Sequence, residues 1–223
     1  MRPVDKGTAP KVYSKYGDAR HDLADVIGYF CSYCEMATWN MIEVEHVHPI
    51  NRGGNSLAWG NFLLSCRYCN GVKSDNNASR QGYIWPDTDN TDLAFEYDEI
   101  NIITPLTSLS SPINQAAQQT IDLMGLNRAP HLPNQPTEAD TRWISKIEAW
   151  DKAKRSLINW NKNPSTEMAE MIALASKGGH FSIWCTVFKN CPEVINAIVS
   201  EHSNTYTATN NQGVRIVRAN GII

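Results

Sequence analysis

No stretch of this chain is apolar for long enough to cross a bilayer, and the opening residues MRPVDKGTAPKVYSKYGD are polar and broken by proline and glycine. A secretory signal and a membrane anchor are therefore not expected, and the chain reads as soluble and cytoplasmic with no membrane partner. Excess positive charge is missing too: 20 Lys and Arg stand against 23 Asp and Glu, a net charge of −3. No field over the whole molecule draws it onto nucleic acid, so such binding must come from a local patch, a partner or a metal ion. Internal repeats and low-complexity tracts are also absent. The 223 residues suffice to bury a core, either as one large domain or as a small functional core with a second domain beside it.

A disulfide framework is the next thing lacking. Of six cysteines, four fall into two Cys-x-x-Cys pairs, Cys31/Cys34 and Cys66/Cys69, a spacing that favours a metal. Each pair sits on a tight turn that aims two sulfurs at one tetrahedral centre, and four thiolates match a structural zinc with no position left open for catalysis. Cys185 and Cys191 lack such spacing and are assigned to packing.

Between the pairs, VEHVHPINRGGNSLAWGNFLLSCRYCN concentrates histidines, an acid, a Gly-Gly turn and asparagines. A short helix is expected over Asp18 to Ile27, and MIEVEHV reads as a strand ended by Pro49. The stretch from Asn51 to Ser56 is a loop, and a helical segment is expected to start near Trp59 to Asn61 and carry Phe62, Leu63 and Leu64 to the second pair. SDNNASRQGYIWPDTDNTD has few apolar anchors and is taken as a surface connection. LAFEYDEINIIT supports one or two strands.

From Ser111 the character turns helical. Pro112 suits a first helical position and Gly125 a helix end. Trp143, Ile147, Trp150, Leu157 and Trp160 recur at helical spacing, a pattern read as core rather than as a stacking platform. Shorter helices are expected over Glu167 to Ser176 and Pro192 to Glu201. The composition shift divides the chain into residues 1–106, carrying the cysteine pairs, and a helical region 107–223.

The succession Cys-x-x-Cys, Glu45-His46-Val47-x-Pro49, Gly53-Gly54, Asn61, Cys66-x-x-Cys69-Asn70-x-x-Lys73 resembles the HNH endonuclease family. The resemblance implies an α+β fold: a small ββα-metal core with a structural four-cysteine zinc site, followed by a mainly α-helical C-terminal region. It also implies roles. His46 would be the general base, Asn61 would fix its ring or the loop, and Glu45 with Asn70 would offer oxygens to a catalytic Mg²⁺ or Mn²⁺. Lys73, and less so Arg67 and Arg52, would meet substrate phosphate. His48 is left as an extra ligand or a polar residue at the rim.

Strand alternation sets His46 and Glu45 on opposite faces, so both reach one site only if the strand ends or bulges before Pro49. The opening residues, the knuckle placed soon after a helix, and the helical tail are similar to the PtuB-like HNH subunits of Septu-type and retron-linked anti-phage systems. That similarity implies an ABC/SMC-like ATPase partner (PtuA-like) docking on the helical region, which could otherwise be a cap over the core. The implied function is metal-dependent DNA cleavage in anti-phage defence. The alternatives are a zinc-ribbon binding module without catalysis, or an RNA-directed HNH nuclease.

Overall fold

Helix α1 (Ala19–Ile27) forms where the apolar spacing predicts it, burying Ala19, Leu23, Ala24 and Ile27 and ending at Gly28 with φ 78°. It belongs to a computed structural model that describes residues 1–100 and 102–223. Strand β1 (Ile42–His46) pairs antiparallel with β2 (Phe62–Cys66), in a register running from Ile42 opposite Cys66 to His46 opposite Phe62. Helix α2 (Arg67–Lys73) follows β2 at once. Its N-cap is Cys66, whose Sγ accepts the Cys69 amide at 3.4 Å.

The run expected to be helical from Asn61 onward is a strand, preceded only by a 3-10 turn over Trp59–Asn61. Every residue of β2 is buried, since α1 and α2 both pack against it. A short apolar run covered on both faces has no alternation to show, so periodicity alone does not separate it from a helix.

The supposed surface connection is corrected more sharply. Ile84 and Trp85 are fully buried, and Asp87 is held by Lys6 and Arg80, each at 2.8 Å. Burial alone would raise the Asp87 carboxyl, yet these two cations hold it well below the usual carboxylate range. Asp89 accepts the Ile222 amide at 2.7 Å, which draws the chain end back onto this segment. Its order rests on partners distant in sequence, which leave no local pattern.

Strands β3 (Phe95–Tyr97) and β4 (Ile103–Pro105) form a second antiparallel pair; Asn101, between them, lies outside the described residues. Helix α3 (Ser111–Met124) has proline in its first turn and ends at Gly125, φ 56°. Its buried Ala117, Ile121 and Met124 join the same core as β1, β2 and the cysteines.

Helices α4 (Arg142–Lys162), α5 (Thr166–Ser176), α6 (Phe181–Val187) and α7 (Pro192–Glu201) complete the helical region. Trp160, Ile172, Trp184 and Val194 build a second cluster, and Trp150 packs with Ile183. Helix α6 has no sequence signal, because FSIWCTV is short and apolar through most of its length. The fold is mixed α and β with a ββα unit and a helical C-terminal region.

Buried polar contacts join the two parts. Glu35, in the first cysteine turn, accepts the Ser182 amide at 3.0 Å and its hydroxyl at 2.7 Å, at the start of α6. Arg142, opening α4, donates to Cys69 Sγ at 3.1 Å and to Met124 O at 3.0 Å.

Two buried histidines give this region a pH response. Burial, with Lys146 nearby, lowers His180 to about 3, and burial, with Arg2 nearby, lowers His202 to about 3. An unfolded imidazole titrates near about 6.5. Below that the unfolded state binds more protons, so stability is lost as pH falls from about 6.5 toward 3. Each histidine is expected to cost about 2 kcal/mol by pH 5. A thermal melting midpoint that falls steadily from pH 7 to pH 5 checks this, and a flat profile contradicts it.

Candidate active site

The four cysteine sulfurs lie within 4.8 Å of one another, all buried, with Cys34 and Cys66 Sγ 3.7 Å apart. A tetrahedral cage with metal–sulfur bonds of about 2.3 Å has sulfur–sulfur edges of about 3.8 Å, so this donor set fits a closed structural metal site such as zinc. The contact from Arg142 to Cys69 sets a positive charge against the thiolates, and a nearby cation offsets their charge when a divalent ion is held. The cage ties the first cysteine turn to the end of β2 and the start of α2, β1 is held by its pairing with β2, and one face of that unit opens into a cleft of about 610 Å³.

His46, at the end of β1, lines the cleft with its ring edge-on to Tyr16 and Phe62, centroids 5.0 and 5.3 Å away. Its Nε2 lies 3.1 Å from the Ser56 carbonyl oxygen. A carbonyl only accepts, so Nε2 is the donor in this bond, and in the neutral ring Nδ1 is then the nitrogen with the free lone pair. An imidazole held in that tautomer can take a proton.

Across the cleft, Asn70 on α2 donates Nδ2 to Glu43 Oε2 at 2.6 Å. Glu43, not singled out in the sequence, therefore brings a carboxylate to the amide of Asn70 in the cleft that His46 also lines. The signal was available: Glu43 stands two residues before Glu45 and shares its strand face. After this bond Glu43 Oε1 and Asn70 Oδ1 remain, hard oxygen donors of the kind Mg²⁺ and Mn²⁺ take.

Glu45 lines the same cleft, but its carboxylate is engaged from within the protein. It is 2% exposed, with Oε1 2.6 Å from Lys73 Nζ and Oε2 accepting the Tyr33 hydroxyl. Burial pushes its carboxyl up, while Lys73 and Tyr33 pull it back. Lys73 is 1% exposed, so the residue expected on phosphate sits in the core; the exposed Arg67 lines the cleft in its stead. Arg52 donates to the Asp75 carbonyl at 3.1 Å, and the His48 ring bonds the Arg52 carbonyl at 2.9 Å. His48 thus ties down its own loop.

Asn61 also works on the loop and not on the His46 ring. Its Oδ1 accepts the His48 amide at 2.7 Å, and its Nδ2 donates to the carbonyls of His48 and Asn55 at 2.9 and 3.0 Å. The glycine turn is needed for the same packing. A Cβ on Gly54 would stand 1.9 Å from the His48 carbonyl oxygen, and Gly53 has φ 94°.

A cage of four cysteines, an imidazole at a strand end and an asparagine on the following helix now stand in one unit. Residues 31–76 match the HNH endonuclease family. That stretch covers the cysteine cage, β1, β2, α2 and the cleft lining apart from Tyr16. A protein of Vibrio cholerae serotype O1 biovar El Tor, provisionally named the HNH endonuclease of retron Vc95, is 27% identical over 153 residues, covering 63% of this chain and 72% of its own length. The segment and this relative together support a nuclease. Among the described residues, no helix is long and apolar enough to cross a membrane.

Proposed function

We propose that the protein is a metal-dependent endonuclease that hydrolyses phosphodiester bonds of DNA. Zinc would fill the sulfur cage, and Glu43 and Asn70 would hold Mg²⁺ or Mn²⁺. The observation that carries this reading is the placement of His46, in a defined tautomer, in the same open cleft as a carboxylate and an amide.

His46 Nδ1 takes the proton of the attacking water while the Ser56 carbonyl keeps the ring in place. Glu43 and Asn70 would hold a divalent ion, which would supply charge neutralisation at the phosphate and the leaving oxygen. Arg67, at the start of α2, meets phosphate oxygens at the edge of the cleft. Nothing in this set reads a base, so cleavage follows backbone shape or a partner's guidance.

The retron name of the relative supports a role in anti-phage defence. A net charge of −3 fits a subunit whose DNA-binding field comes from an ATPase partner, docked on the helical region 107–223. Ile158 on α4 and Met171 and Leu174 on α5, 55%, 64% and 58% exposed, are apolar side chains of that region open to a partner.

Supercoiled plasmid incubated with zinc-loaded protein and Mg²⁺ or Mn²⁺ should turn into nicked and linear forms. Withholding the added ion while zinc stays bound should stop the reaction. Equal cutting without added ion contradicts the reading, and faster cleavage of an RNA of equal length moves the substrate to RNA.

A further inference from the structure

Strand pairing stops at His46, yet the next main-chain polar groups are not left to water. The His46 carbonyl accepts Lys73 Nζ at 2.9 Å, the Val47 carbonyl accepts Asn77 Nδ2 at 2.9 Å, and the His48 carbonyl accepts Asn61 Nδ2 at 2.9 Å. The Val47 amide donates to the Asn61 carbonyl at 2.9 Å, and the His48 amide to Asn61 Oδ1 at 2.7 Å. Apart from the Val47 amide, which still meets a main-chain carbonyl, side chains have taken over where the sheet ends.

Of these anchors only Lys73 is charged, and its partner Glu45 immediately precedes His46. Both side chains are 1% exposed, with Nζ and Oε1 2.6 Å apart. Tyr33, inside the first cysteine turn, closes the other oxygen, so the pair links the first turn, β1 and the last residue of α2. A buried ion pair adds little net stability over an apolar substitute, because desolvation offsets the attraction. What it does supply is direction: an ammonium pinned by a carboxylate donates to one carbonyl along one line.

We propose that Glu45 and Lys73 are a positioning pair: they fix the main chain of His46 so that its ring stays in the cleft. The activity part of this inference rests on the nuclease reading above. The pair acts through His46 and touches no substrate. A loosened strand end lets the ring wander, and misplacement of a reacting group by about 1 Å can lower a rate about 100-fold.

The test compares Lys73→Met, Glu45→Gln and Glu43→Gln with wild type, all zinc-loaded. Mn²⁺ affinity is read by electron paramagnetic resonance, the His46 ring by its NMR signals, and plasmid nicking at saturating DNA and Mn²⁺. Lys73→Met should lower kcat about 10- to 100-fold. KM and Mn²⁺ affinity should stay within about threefold of wild type, and the His46 ring signals should shift and broaden. Glu45→Gln keeps an acceptor without the charge. It should fold, bind Mn²⁺ like wild type and show a smaller change of the same kind, while Glu43→Gln loses Mn²⁺.

If Lys73→Met does not fold, Glu45→Gln decides alone. Unchanged His46 signals in both pair variants overturn the proposal. If wild type cuts nothing, the nuclease reading fails, while the ring signals still judge the pair.

Discussion

Replacing Cys69 with serine should empty the sulfur cage of zinc and collapse the yield of folded protein. The cage belongs to the main core: all four cysteines are buried, and Phe62, Leu63 and Leu64 of β2 pack around them. Structural zinc contributes an apparent binding free energy of about 10–16 kcal/mol, against a net stability of about 5–15 kcal/mol for an ordinary domain. A serine hydroxyl is a poor replacement for a thiolate, and the variant also removes the acceptor of Arg142, leaving part of a buried guanidinium without its partner. Zinc per chain, measured by mass spectrometry of the purified protein, should fall from about one to near zero. Circular dichroism should show a loss of cooperative melting. A soluble, cooperatively folding Cys69→Ser protein that keeps its zinc removes the cage from the account.

His46→Ala should do the opposite: keep the fold and the zinc, and lose the activity. The ring is half-buried and bonds the Ser56 carbonyl through one nitrogen. Its removal should cost about 1 kcal/mol of stability, as for an average substitution. A positioned general base contributes about 10²- to 10⁴-fold in rate, so plasmid nicking under saturating Mn²⁺ should fall by that factor. Zinc content and the melting midpoint should stay near wild type. An undiminished rate means that another group takes the proton, and the assignment of His46 fails.

How much of this was legible depended on whether the cause was local. The cysteine pairs could be read because their spacing along the chain already carries the geometry of the turns, whereas His46 and Asn70 stood out only through the family resemblance. Helix α3 could be read because proline and glycine mark its two ends. Glu43 and Glu45 could not be told apart, since alternation places both on one face of β1. What separates them is Lys73, distant in sequence and brought beneath the strand by the cage, which claims Glu45 and leaves Glu43 to Asn70. That same pairing took Lys73 away from the phosphate role the sequence suggested.

Other misreadings have related origins. The two-sided burial of β2 erased its alternation. The segment holding Trp85 is organised by Lys6, Arg80 and the end of the chain, so its polar composition suggested a surface that the fold buries. For Asn61 the sequence leaves ring and loop both open, and only its bonds to His48 and Asn55 decide for the loop.

The central claim is that the cage sets Glu43, Asn70 and His46 around one catalytic ion. Anomalous diffraction at the manganese edge, from crystals of the zinc-loaded protein soaked in Mn²⁺, tests it most directly. The account predicts one peak in the cleft within bonding distance, about 2.0–2.4 Å, of oxygens from Glu43 and Asn70 and beside the His46 ring. A peak on Glu45 with the Lys73 contact broken, or none in the cleft at saturating Mn²⁺, would contradict it.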